Sequence, residues 1–209
     1  MSDGGYGDFE FERRFVVADL PTSLLDEPAP ALIVQSYFLA ADGYALRIRV
    51  QAGSALAELG PSTDPLDVLD AHEFDFCALT AKGPAAGGTR YEAERELDVA
   101  TGVEMVRRGG QRIVKNRYAL WVGADGWVVD VFGGANHPLV VAECERAGPV
   151  TDLEIPTFCT SEVTDDPRFS NDALARTPYS LWRGTFADEL AERGPRFLGD
   201  FGNDRRSTD

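Results

Sequence analysis

The chain is short of nearly everything that would stabilise a small secreted or metal-knotted fold. Among its 209 residues are three cysteines, Cys77, Cys144 and Cys159, with no CxxC pair and an odd one left over. That excludes a disulfide scaffold and fits a reducing compartment. Only two histidines occur, His72 and His137, in no HxH or HExxH spacing, so a histidine-based metal centre is not expected. No apolar run approaches the roughly 18 residues of a membrane helix, and no basic-then-apolar leader follows Met1. Positive charge is also scarce: 20 Lys and Arg against 35 Asp and Glu give a net charge of −15. Such a surface repels nucleic acid and anionic lipid. These absences predict a cytoplasmic protein that binds neither nucleic acid nor membrane; a monomer and a homodimer both stay open.

Hydrophobic residues make up 44% of the chain and charged residues 26%, enough for a globular core and too apolar for disorder. Small and polar residues at 1–7 and 199–209 read as tails. Between them, apolar residues alternate with polar ones in eight segments: Phe9–Val17, Ile33–Ala40, Ala45–Gln51, Phe74–Ala81, Arg90–Leu97, Gln111–Val122, Trp127–Phe132 and Leu139–Glu145. Turn chemistry separates most of them, as at Asp42-Gly43, Gly83–Thr89, Gly109-Gly110 and Asp125-Gly126. Helical patterns are fewer: Ser54–Leu59, Ser170–Arg176, and Phe186–Arg193 before Gly194-Pro195. The fold class predicted is α+β, mainly β: an eight-stranded antiparallel barrel with helices packed outside. The domain reading is a disordered tail over 1–7, a barrel domain over 8–184 and a helical extension with a tail over 185–209. Trp121, Trp127 and Trp182 read as core or lid packing.

What alternates with the apolar residues is charge, segregated by sign. Glu10 and Glu12 precede Arg14 on one face of the first segment; Arg47 pairs with Arg49, Glu92 with Glu94, Lys115 with Arg117, and Glu143 with Glu145. The two-residue pleat places each such pair on one side of the sheet. A solvated outer face explains any single pair, but it mixes Ser, Thr and Gln with charge, and these faces do not. A charged interior explains the set. Arg and Lys would grip phosphate oxygens, and clustered carboxylates would hold a hard divalent ion such as Mg²⁺ or Mn²⁺.

The run Glu10-Phe11-Glu12-Arg13-Arg14-Phe15 resembles the ExExK signature of the CYTH superfamily, the triphosphate tunnel metalloenzymes. The resemblance continues in order through Gln35–Leu39, Leu46–Arg49, Leu79–Gly83, Arg90–Glu94, Lys115–Tyr118, Trp127–Phe132, Leu139–Glu145 and Glu162–Ala175, spanning roughly residues 8 to 180. It implies an eight-stranded tunnel acting on triphosphates with divalent metal. By position it implies metal ligands at Glu10, Glu12, Asp130, Glu143 and Glu145. Phosphate would be bound by Arg14, Arg47, Arg49, Lys82, Arg90, Lys115 and Arg117, with Glu92 and Glu94 lining the tunnel, and catalytic roles fall to Arg14, Tyr37 and Lys82. Arg14 departs from the signature, which has lysine here. Arginine binds phosphate but does not release its proton, so the lysine route to water activation is absent. The activity implied is hydrolysis of a linear triphosphate, inorganic tripolyphosphate before thiamine triphosphate. A class IV-type adenylate cyclase, or a noncatalytic phosphoanion- or nucleotide-binding module, stays open as the alternative.

Overall fold

The computed structural model describes residues 9–21, 24 and 29–207. The tail expected over 1–7 lies outside the described residues. Period-two alternation produces eight long strands: β1 (Phe9–Val17), β2 (Ala31–Ala41), β3 (Tyr44–Ala52), β4 (Phe76–Lys82), β5 (Thr89–Glu96), β6 (Gln111–Val122), β7 (Asp125–Phe132) and β8 (Val140–Arg146). They pair antiparallel in the order β1-β5-β4-β3-β2-β6-β7-β8, and β8 pairs back onto β1, closing the barrel. Closure leaves no long edge for another chain to pair with. Short strands follow: β9 (Glu154–Ile155), β10 (Cys159–Glu162) and β11 (Arg205–Arg206).

β1 is the keystone of the barrel. One edge pairs with β8 over Phe11–Val16; the other pairs first with β5 over Phe9–Phe11 and then with β10 over Phe15–Val17. Its outward row, Phe11, Phe15 and Val17, is buried with Trp127, Val129, Ala142 and Cys144. Arg13 also faces out and is 1% exposed. It forms a two-pronged pair with Glu162 at 2.8 Å and a further pair with Asp204 at 2.8 Å, and its guanidinium lies over the Phe201 ring. The segment expected as a polar tail at 199–207 is therefore fastened to the barrel, because its Asp204 and Phe201 satisfy a buried cation. β11 completes the attachment by pairing in parallel with β9.

Helices α1 (Pro65–Ala71) and α2 (Val99–Arg108) cover β2, β3 and β4, burying Leu32, Val34, Ile48, Val50, Cys77, Leu69 and Val106 together. Neither was among the expected helices. Asp64 and Asp98 cap them, but three β-branched valines and Gly102 lower the helix propensity of α2. Gly102 has a packing reason: a Cβ there would stand 2.0 Å from Cys77 Sγ. The helix expected over Ser54–Leu59 does not form. Asn116 engages the backbone of Ala57 on both sides, donating to its carbonyl at 2.8 Å and accepting its N–H at 3.2 Å. Trp127 is core at 1% exposed, whereas Trp121, expected to pack, is 78% exposed near the tip of the β6–β7 hairpin.

Helices α3 (Asn171–Arg176) and α4 (Arg183–Arg193) agree closely with the expected pair. Ser170 caps α3, and Leu174 and Ala175 sink into an apolar layer with Val16, Ile113, Phe132, Leu139 and Val141. By strand register, Val16, Ile113, Phe132 and Val141 lie on the inward face, so the charged interior gives way to an apolar plug at this end. Phe169, Trp182 and Phe186 stack edge-to-face beyond it.

Candidate functional site

The inward rows meet in a cavity of about 530 Å³ lined almost wholly by charge. β1 contributes Glu10, Glu12 and Arg14; β3 contributes Arg47 and Arg49; β4 contributes Lys82; β5 contributes Arg90, Glu92 and Glu94; β6 contributes Arg117; β8 contributes Glu143 and Glu145; and Tyr37 comes from β2. Thirteen of the fifteen residues singled out from sequence thus share one cavity. Asp130 and Lys115 lie in the wall behind it.

On the basic side, Lys82 reaches Glu10 at 2.7 Å and Glu92 at 2.6 Å, Arg49 reaches Glu94 at 3.2 Å, and Arg47 lies 3.6 Å from Glu92. The Nε atoms of Arg47, Arg49 and Arg90 are buried with no partner. A buried donor left unsatisfied costs about 1–3 kcal/mol, and three in one cavity are open to acceptor oxygens brought from outside. Burial and the neighbouring Arg47 depress the Lys82 ammonium, while Glu10 and Glu92 work the other way.

On the acidic side, Arg14 bridges Glu12 and Glu143, the latter at 3.2 Å. Asp130 is fully buried. Arg117 holds both its oxygens at 2.7 Å, and Lys115 adds an ion pair. Burial works against the Asp130 charge, but Arg117 and Lys115 overcome it and hold the carboxyl well below its usual range. Burial and Arg117 push the Lys115 ammonium down to about 7. Glu10 and Glu92 share a hydrogen bond; burial and that bond drive Glu92 up, whereas Glu92 and Lys82 hold Glu10 down despite its burial. Tyr37 is pushed up to about 12 by burial, so its hydroxyl keeps its proton; it accepts a hydrogen bond from Gln35 at 2.7 Å.

As the side chains stand, no group of three or more His, Cys, Asp or Glu among the described residues is arranged to hold a metal ion. The donor chemistry nevertheless fits a hard cation. Glu10, Glu12, Glu143 and Glu145 bring four carboxylates into one cavity from β1 and β8; Glu145 makes no ion pair among the described residues, and burial together with Glu10 and Glu143 raises its pKa. Asp130 lies one layer behind with its oxygens on Arg117 and Lys115, while Glu143 in the cavity likewise accepts from Arg14 and Arg117, both at 3.2 Å.

Two lining residues, Asn171 and Asp172 of α3, were not anticipated as site residues. Asn171 accepts a hydrogen bond from Lys115 at 3.1 Å. The Ser170 cap was visible in sequence, but nothing there says that the helix enters a barrel end. His72 bonds the Val68 carbonyl of its own helix, and neither histidine lines the cavity. All three cysteines are buried and free.

No protein-family model matches the sequence. Over 107 residues the chain is 36% identical to the inorganic triphosphatase of Acetivibrio thermocellus, a match covering 50% of this chain and 69% of that protein. It superposes on the crystal structure of the inorganic triphosphatase NE1496 with a TM-score of 0.50 and 25% identity, covering 79% of this chain and 93% of that one. A second crystal structure, of the hypothetical protein NE1496, gives a TM-score of 0.50 and 26% identity over 79% of this chain and 97% of that one. With the barrel closed through β1 and β8, its cavity lined mainly by charge, and a relative of this identity, the chain belongs to the CYTH superfamily of triphosphate tunnel metalloenzymes.

Proposed function

We propose that the chain is a divalent-metal-dependent triphosphatase that hydrolyses a linear triphosphate, with inorganic tripolyphosphate as the preferred substrate and thiamine triphosphate next. The observation that carries this reading is the trio of buried, unpartnered guanidinium Nε atoms of Arg47, Arg49 and Arg90 in one cavity. Phosphate oxygens would complete them, and Lys82 adds a compact charge beside them. The lining leaves little apolar surface for an organic group, which favours the inorganic substrate.

Phosphoryl transfer needs positioning and charge neutralisation more than covalent help. A hard divalent cation, Mg²⁺ or Mn²⁺, would be held by Glu10, Glu12, Glu143 and Glu145 and would draw charge from the reacting phosphate oxygens. Asp130 would act one layer back, holding Arg117 and Lys115 in place. Arg14, pinned between Glu12 and Glu143, presents its guanidinium at the carboxylate wall. Tyr37, protonated in its buried setting, serves as a donor to a phosphate oxygen or a water.

Phosphate release from tripolyphosphate, ATP and thiamine triphosphate, each with Mg²⁺, Mn²⁺ or chelator, tests the assignment. Release from tripolyphosphate that depends on metal is expected. Silence on all three, with tripolyphosphate still raising the melting temperature, would replace the hydrolase by a phosphoanion-binding module.

A further inference from the structure

The charged cavity has a second way out. β1 exchanges β5 for β10 along one edge, and between the two the Glu12 N–H donates to the Gly88 carbonyl at 2.8 Å and the Arg14 N–H to Thr164 Oγ1 at 3.1 Å. A side cavity of about 390 Å³ opens at this gap in the barrel wall and shares Glu12, Arg14, Arg90 and Asp172 with the main one. Beyond the junction the lining changes. Pro84, Ala85 and Ala173 appear, and Arg176, the cation further out, is turned onto the Ala40 carbonyl at 2.7 Å.

Asp172 stands at that junction with no ion pair and no side-chain hydrogen bond among the described residues, and its charge acts on Tyr37 and Arg90. Arg14, the nearest cation on β1, is already bridged to Glu12 and Glu143. A phosphate group that passed from the main cavity into the side opening would leave Arg47, Arg49 and Lys82 behind and meet a free carboxylate. Building on the triphosphate reading of the main cavity, we infer that Asp172 sets the chain length this site accepts: its carboxylate turns away the next phosphate of a longer linear polyphosphate and so confines the substrate to three. This is discrimination by a repulsive element rather than by an added contact.

The test compares kcat/KM for linear tripolyphosphate and linear tetrapolyphosphate across the wild type, Asp172→Asn, Asp172→Ser and Asp172→Glu. The wild type is expected to favour tripolyphosphate. Removing the charge should raise the tetra-to-tri ratio by about tenfold or more, since like-charge juxtaposition disfavours a ligand, and Asp172→Glu should keep the wild-type ratio. Dissociation constants for both chains, measured by calorimetry in chelator, should move in the same sense. An unchanged ratio in both neutral variants, or a wild type already indifferent to length, overturns the role of Asp172 while tripolyphosphate turnover leaves the triphosphatase reading standing. A wild type that neither binds nor cleaves tripolyphosphate overturns both.

Discussion

Arg14 and Glu143 sit directly opposite each other on neighbouring strands, β1 and β8, and join across the pair at 3.2 Å. The guanidinium also reaches Glu12, so one cation links two of the carboxylates proposed to hold metal. The residue that departs from the family signature is thus built into the acidic wall.

Arg14→Lys should raise turnover of tripolyphosphate by about a hundredfold, the lower end of what a positioned acid or base contributes. A lysine at this position is able to shed its proton where arginine is not. Steady-state kcat decides the matter, and an unchanged kcat would show that Arg14 does not limit the reaction.

Arg47→Lys keeps the charge but removes the planar fork and its orphaned Nε. KM for tripolyphosphate should rise by about tenfold, since bidentate contact with phosphate is lost. Stability in urea should stay level or improve slightly, because an unsatisfied buried donor disappears. A loss of stability with KM untouched would mean that Arg47 serves the barrel rather than the substrate.

Asp130→Asn leaves Lys115 and Arg117 facing a neutral group in the wall. Stability should fall by about 3–5 kcal/mol, as when one partner of a buried ion cluster is removed. Chemical denaturation reads this directly. If the variant denatures like the wild type yet fails to respond to metal, Asp130 belongs with the ligands instead.

Glu162→Gln tests the outer face. Its two-pronged bond with Arg13 and its acceptance of the Leu198 N–H at 2.8 Å fasten the C-terminal segment. A loss of about 3 kcal/mol is expected, as for other broken buried pairs, with tripolyphosphate KM preserved because Arg13 points away from the cavity. A KM that rises in step with the stability loss would show that the segment shapes the site.

Much of the architecture could be read from β1 alone. Phe11 and Phe15 alternating with Glu10, Glu12 and Arg14 forecast two faces, and the structure buries one in the outer core and turns the other into the cavity. The same periodicity located the other seven strands to within about two residues, the usual uncertainty at strand ends. Helix α2 was not legible because its valines and Gly102 suit packing on β4 rather than helix propensity. Ser54–Leu59 misled because its backbone is claimed by Asn116, 59 positions away from Ala57.

The sequence by itself determined the two-faced strands and the segregation of charge by sign, because side-chain direction in a strand is local and alternates by covalent geometry, and it carries the ordered motifs on which the family resemblance rests. Tertiary structure decided the rest. Whether an inward charge lines the cavity or is neutralised behind it depends on which strands become neighbours: Arg117 beside Asp130 takes that carboxylate out of the cavity, while Glu145, facing Glu10 and Glu143, remains available. Likewise, only closure of the barrel on β1 and the descent of α3 into its end bring Asp172 to the junction of the two cavities, since contacts between residues so distant in the chain exist only once the chain has folded.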